Sequence, residues 1–276
     1  MKKQTKNLIL AAGLILAAFF IWGLIEPFML DIKVLTVKDS QIPASFDGKK
    51  ILFVTDVHCG AFFPINRTKQ FINSLNALKP DLVLMGGDYI QWNDTKIDEC
   101  IKAFAGLKAP LGVIGVLGNH DMRVDKFKGV AMEKMLEEAG IVILNDQVKK
   151  VVNNNESITV AGVDYFSTTA QWKKIQAKLD DKSFNILLAH DPDFVLEAKP
   201  KNISLSLAGH THGGQVTFFG LFAPLTHSKF GQDNFTGVKV FDKKPFVISN
   251  GVGTTFLPIR FFARPDIYII NLQKAP

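Results

Sequence analysis

The chain has 276 residues, of which 47% are hydrophobic and 21% charged, with a net charge of +6. That composition excludes a disordered or low-complexity chain and suits one large folded domain. The basic excess is too small and too scattered for a nucleic-acid footprint, but it suits an anionic substrate or an anionic membrane surface.

The run 8–25 (LILAAGLILAAFFIWGLI) holds 18 residues without a charge, near the lower limit for crossing a bilayer. A cleaved signal peptide and a retained anchor both begin this way. Here the run ends in Trp22, Leu24 and Ile25 with no small-x-small site, which favours a retained transmembrane helix. Lys2, Lys3 and Lys6 precede the run and place the N-terminus in the cytoplasm, with the rest of the chain outside it. Residues 1–30 are thus expected as a cytoplasmic tip and anchor, 31–48 as a lead-in segment, and 49–276 as one catalytic-sized domain.

In that domain, Lys50–Asp56 is an apolar run suited to a strand buried on both faces. Helical spacing follows over 67–79, stopping before Pro80. Leu82–Met85 is a second buried strand ending at Gly86-Gly87-Asp88. A helix over 95–107 leads to a third strand, Gly112–Leu117, which ends at Gly118-Asn119-His120-Asp121. Another helix spans 128–139 and ends at Gly140. The second half is richer in strands, expected over 158–163, 185–189, 204–208, 215–219, 238–241, 246–249 and 267–272. A long Gly-, Phe- and Pro-bearing loop covers 220–237. The alternation argues an α/β fold with helices outside mixed or parallel sheets.

Five of the six histidines, His58, His120, His190, His210 and His212, fall just past the ends of expected strands. Ligands of open α/β sheets bind at that end. Asp56, Asp88 and Asn119 join them there. In Asp56-Val57-His58 and His210-Thr211-His212, residues i and i+2 face the same side of an extended chain, so each pair can offer two ligands to one place. Imidazole and carboxylate without thiolate suit Zn, Mn or Fe. Seven donors exceed one tetrahedral site, so two divalent metal ions are expected. Such a pair can polarise a phosphoryl group and turn a bridging water into hydroxide. Cys59 and Cys100 cannot build a disulfide framework and leave the redox compartment open. Cys59 is expected as a buried thiol near the metals rather than a ligand.

The blocks Asp56-Val57-His58, Gly87-Asp88, Gly118-Asn119-His120-Asp121, His190 and Gly209-His210-Thr211-His212-Gly213-Gly214-Gln215 resemble the calcineurin-like metallophosphoesterase family. They stand in that family's order, and the likeness covers roughly 49–272. It implies a four-layer α/β/β/α sandwich, here preceded by the transmembrane helix. It further implies that Asp56, His58 and His212 hold one metal, that Asn119, His190 and His210 hold the other, and that Asp88 bridges both. His120 would stabilise the transferring phosphoryl group or protonate the leaving oxygen. The apolar N-terminus and the Gly-Gly-Gln ending are similar to a bacterial membrane-anchored or exported branch, which implies a single-pass protein of the cytoplasmic membrane. Some relatives there cleave the pyrophosphate of UDP-2,3-diacylglucosamine in lipid A synthesis. That substrate would need the cytoplasmic face, against the outward topology read from the lysines.

The family's protein phosphatases carry Asp-Arg-Gly shortly after the Gly-Asp. Here Tyr89-Ile90-Gln91-Trp92 follows, which argues against a phosphoprotein substrate. Arg123 and His227 are the candidate substrate contacts. Phe62-Phe63 and Phe218–Phe222 follow metal motifs and, with the anchor, permit a site facing the bilayer that takes a lipid-linked phosphate. Hydrolysis of a phosphodiester or pyrophosphate is the leading expectation. Phosphomonoester hydrolysis and a non-catalytic envelope-binding protein are the alternatives, and His120 argues against the latter because a structural metal site has no use for it.

Overall fold

The computed structural model describes residues 2–276, with side chains from Gln4 onward, so the side chains of Lys2 and Lys3 lie outside the described residues. In chain order the first half contains α1 (Lys2–Ile25), β1 (Asp31–Asp39), β2 (Lys50–Val54), α2 (Ile65–Ala77), β3 (Leu82–Met85), α3 (Ile97–Phe104), β4 (Val113–Gly115), α4 (Asn119–Lys128), α5 (Met132–Glu138) and β5 (Ile141–Ile143). The second half contains β6 (Gln147–Asn153), β7 (Glu156–Gly162), α6 (Thr169–Gln176), β8 (Asn185–Leu188), α7 (Pro192–Ala198), β9 (Leu205–Ala208), β10 (Gly237–Phe241), β11 (Lys244–Ile248) and β12 (Asp266–Lys274).

Two six-stranded sheets form, with orders β1-β12-β2-β3-β4-β5 and β10-β11-β9-β8-β7-β6. Their strands explain the layering. Along β2 and β3, Ile51, Phe53, Leu82 and Leu84 face the second sheet and pack with Val160, Ile186, Leu188 and Leu207. The alternate residues Leu52, Val54, Val83 and Met85 face outward and pack under α2 and α3 through Phe71, Leu75, Ile101 and Phe104. This is the period-two alternation of a strand covered on both faces. On the far side, α6 and α7 cover the second sheet through Trp172, Ile175 and Val195. The result is the four-layer sandwich that the motifs implied.

The helix α1 lies outside this sandwich. Its apolar span Gln4–Phe28 is long enough to cross a membrane, and only 6% of its most apolar window is buried.

Several elements differ from the reading of the sequence. Within the lead-in segment 31–48, β1 pairs in parallel with β12 at the edge of the first sheet. The expected strand 215–219 is irregular and joins its neighbours only by isolated bridges, Val216 to Phe261 and Phe218 to Phe222. Gly214 and Gly220 both take positive φ there, which breaks a regular ladder despite the apolar pattern. The expected helix 128–139 is shorter, α5 at Met132–Glu138, and an unexpected helix, α4, precedes it and ends at Gly129, which caps it with a left-handed φ of 63°.

Candidate metal centre

The C-terminal ends of β2, β3 and β4 in one sheet and of β8 and β9 in the other open onto one place. Asp56 and His58 follow β2, Asp88 follows β3, Asn119 begins α4 just after β4, His190 follows β8, and His210 and His212 follow β9. Backbone bonds stitch these loops together. Asp56 N donates to Gly87 O at 2.9 Å, His58 N to Asp88 O at 3.0 Å and Gly209 N to His190 O at 2.9 Å. Asp56, His58, Asp88, His210 and His212 all hold a positive φ between 49° and 70°. Such conformations are uncommon for non-glycine residues and cluster at functional sites. Close approach also needs Gly118 and Gly209, where a Cβ would overlap the Asp88 and Asp56 carboxylates.

The donors fall into two groups. In the first, His58 Nε2 and His212 Nε2 lie 3.1 Å apart, and Asp56 Oδ1 lies 3.5 Å from His212 Nε2 and 3.9 Å from His58 Nε2. In the second, His190 Nε2 lies 3.2 Å from Asn119 Oδ1 and 3.2 Å from His210 Nδ1. Asp88 Oδ2 stands between the groups, 3.5 Å from His58 Nε2 and 3.4 Å from His190 Nε2. All seven sequence-nominated donors therefore meet at one centre.

The residues fit a cation. Asp56 Oδ2 accepts from the Thr55 hydroxyl and His210 N, while Oδ1 is buried with no hydrogen-bond partner. A buried, unpaired carboxylate oxygen is costly unless something positive meets it. Two imidazoles on one ion at about 2.1 Å in tetrahedral geometry would sit about 3.4 Å apart, close to the separations seen. His190 Nδ1 lies 2.8 Å from Gly86 O. Donating there fixes the tautomer and leaves Nε2 as a lone pair, as metal-bound histidines do.

Burial pushes His58 and His210 down to about 3 and His212 well below its usual value. These rings are therefore neutral at pH 7, with lone pairs free. His190 goes the other way, up to about 10: burial opposes its charge, but the Asp88 carboxylate, by charge and hydrogen bond, and Asp56 outweigh it.

His120 is not paired with Asp121. The Asp121 carboxylate accepts from Gly118 N at 2.9 Å, Asp88 N at 2.8 Å and Tyr89 N at 3.0 Å, and so shapes the loop that presents Asp88. His120 N in turn donates to Asp88 Oδ1 at 2.8 Å. The His120 ring lines the cavity, with Nδ1 lacking a hydrogen-bond partner, and burial lowers its pKa.

The cavity measures about 220 Å³ and is lined also by Arg123, Tyr165, His227 and Phe256. Arg123 and His227, nominated from sequence, both reach it. His227 lies flat against Phe256 at 6.5 Å and 6.1 Å from the His210 ring. Tyr165 had no motif to announce it. Its ring lies 5.5 Å from that of His210, and burial raises its hydroxyl pKa to about 12, so the group stays a proton-bearing donor. Arg260 was missed too. Fully buried, it donates to His212 O at 3.1 Å, Gly253 O at 2.6 Å and Asn250 O at 2.8 Å. An arginine in the apolar stretch 256–263 was the one sequence signal for it.

Two expectations are corrected. Cys59 is not a thiol: it forms a disulfide with Cys100, because the bond from Cys59 N to Tyr89 O holds it beside the buried face of α3. Phe63 does not flank the site but is core, 5.8 Å from the Phe71 ring.

Paired sheets with carboxylate and imidazole donors converging at their strand ends define a metal-dependent hydrolase. The family described as "Calcineurin-like phosphoesterase" matches residues 49–214. The chain is 32% identical to "Uncharacterized metallophosphoesterase YkuE" of Bacillus subtilis, over 91% of this chain and 88% of that one. It is 30% identical to "Phosphodiesterase YaeI" of Escherichia coli, over 81% and 82%. It is 27% identical to "Transmembrane protein with metallophosphoesterase domain" of Danio rerio, over 96% and 62%. The chain belongs to the calcineurin-like phosphoesterase family and is a metal-dependent phosphoesterase.

Proposed function

We propose that this chain hydrolyses the phosphodiester or pyrophosphate bond of a lipid-linked substrate at the outer face of a bacterial cytoplasmic membrane, using two divalent ions. The observation that carries the two-ion reading is Asp88 Oδ2, placed almost equally between the two donor groups. Asp56, His58 and His212 would hold one ion and Asn119, His190 and His210 the other, with Asp88 shared. When bound, such ions polarise the phosphoryl group and supply a water nucleophile at neutral pH.

The remaining work falls to the cavity wall. Arg123 and the Tyr165 hydroxyl offer hydrogen bonds to the phosphate oxygens, where charge builds during transfer. His120, neutral at pH 7, donates a ring N–H hydrogen bond to the phosphoryl or leaving oxygen, where negative charge builds. The flat pair of His227 and Phe256 suits the non-reacting arm of a diester. A monoester has no such arm.

The Cys59–Cys100 disulfide supports the outward-facing domain, since such bonds persist in oxidising compartments. It weighs against UDP-2,3-diacylglucosamine, a cytoplasmic-face substrate, and for another lipid-linked phosphate. The test is turnover by full-length, Mn²⁺-loaded protein in detergent. Bis-p-nitrophenyl phosphate should be cleaved faster than p-nitrophenyl phosphate, and a lipid-linked pyrophosphate faster than either. Preference for the monoester would sink the diester reading, and release of UMP from UDP-2,3-diacylglucosamine at the highest rate would reverse the topology.

A further inference from the structure

Two loops expose apolar side chains of which the proposed reaction uses only Phe256. Loop 216–222 presents Phe218, Phe219 and Leu221, the last 85% exposed, and loop 256–262 presents Phe256, Leu257 and Phe262. Contiguous exposed apolar surface of this kind marks a contact with protein or membrane.

The loops are one unit. Phe261 N donates to Gln215 O at 2.9 Å and Thr217 N to Phe261 O at 2.9 Å, and the Phe219 and Phe262 rings lie 4.9 Å apart. Phe219, Phe256 and Phe262 hold φ of 54°, 57° and 52°. Bulky residues rarely take that backbone, so the surrounding hydrogen bonds hold these rings outward against local preference.

The unit is docked on α1. Phe19 meets the Phe261 ring edge-on at 5.4 Å, and Arg260 N donates to Gly23 O at 3.0 Å. The buried Glu26 carboxylate accepts from Phe262 N at 2.9 Å, Ala263 N at 2.6 Å and Trp22 Nε1 at 2.7 Å.

Depth follows from this docking. At 1.5 Å per residue the uncharged run 8–25 spans about 27 Å, against a hydrocarbon core of about 30 Å. The run is no longer than the hydrocarbon core and Lys6 bounds it at the far end, which leaves the helix little slack to slide outward. Phe19 then lies about 9 Å before the end of α1, inside the hydrocarbon, and Phe261 lies beside it.

We propose that loops 216–222 and 256–262 form a second membrane contact, dipping into the leaflet from which α1 emerges; this rests on the reading of α1 as a membrane span. The partner is the lipid bilayer itself, favoured over a protein by the continuity of the patch with α1. Phe256 belongs both to this surface and to the wall of the metal cavity. The cavity therefore opens along the leaflet, and a phosphate ester with its chains in the membrane reaches the metals without leaving the lipid. Interfacial amphipathic helices bury their apolar face about 5–10 Å deep, and the placement of Phe261 beside Phe19 gives these loops a similar depth.

The test uses full-length protein in phosphatidylcholine–phosphatidylglycerol vesicles, with single variants Leu221→Cys and Leu257→Cys carrying an NBD fluorophore. Leu16→Cys in α1 and Val152→Cys on β6 are the references. Each variant must cleave bis-p-nitrophenyl phosphate like the parent, which shows that it is folded. Phospholipids with a nitroxide on the acyl chain should quench the label at 221 and 257 at least twofold more than at 152, and to a degree comparable with 16. Quenching at 16 but not at 221 and 257 overturns the second contact and leaves the anchor standing. No quenching at 16 removes the anchor and the second contact with it, and equal quenching at all four positions overturns selective insertion.

Discussion

The Arg260 guanidinium donates to the carbonyl of His212 at 3.1 Å, while the backbone of the same residue bonds Gly23 at the end of α1. One buried arginine thus joins the His212 loop to the end of α1. Burial lowers its pKa to about 10, so it stays charged at pH 7, solvated by carbonyl oxygens rather than water. Arg260→Met should strand those carbonyls and destabilise the domain by about 3 kcal/mol or more, since each unpaired buried acceptor costs about 1–3 kcal/mol. Arg260→Lys should rescue little, because an ammonium cannot reproduce the planar fork. Thermal unfolding of both variants checks this, and a lysine variant as stable as the parent would contradict it.

His120 touches the cavity but makes no hydrogen bond through Nδ1. His120→Ala should keep its metal content and lose on the order of 10²–10⁴ in kcat. Metal analysis beside steady-state kinetics separates this outcome from loss of the metals themselves.

The shared position of Asp88 predicts the opposite pattern. Asp88→Asn keeps the shape and removes the charge between the two donor groups. Bound metal should fall by at least one ion per chain, and turnover should drop on the order of 10³-fold. Full metal occupancy in this variant would mean that Asp88 is not the bridge.

The Cys59–Cys100 bridge closes a sequence separation of 41 residues beside His58. Chain-entropy reasoning gives such a loop about 4 kcal/mol of stabilisation. The double variant Cys59→Ser/Cys100→Ser should therefore melt several degrees lower. Identical melting temperatures with and without reductant in the parent would show that the bridge contributes nothing.

The site was far more legible than the elements around it. Asp56, His58, Asp88, Asn119, His190, His210 and His212 could be read because metal chemistry restricts residue type and strand ends restrict position. Short strands such as β5, and helices such as α4, which begins at the candidate site residues Asn119 and His120, lack the periodicity that announces an element. The stretch 215–219 read as a strand because of its apolar residues, but Val216, Phe218 and Phe219 are exposed and serve a surface rather than a core. Arg260 and the cysteine pair act through contacts distant in sequence, and no local pattern encodes those.

The most direct test is metal content measured together with turnover on the purified full-length protein. Two divalent ions per chain should be found, bis-p-nitrophenyl phosphate hydrolysis should vanish on chelation, and Mn²⁺ or Zn²⁺ should restore it. Hydrolysis that persists in a chelated, metal-free sample, or that saturates at a single ion per chain, would contradict the two-ion centre.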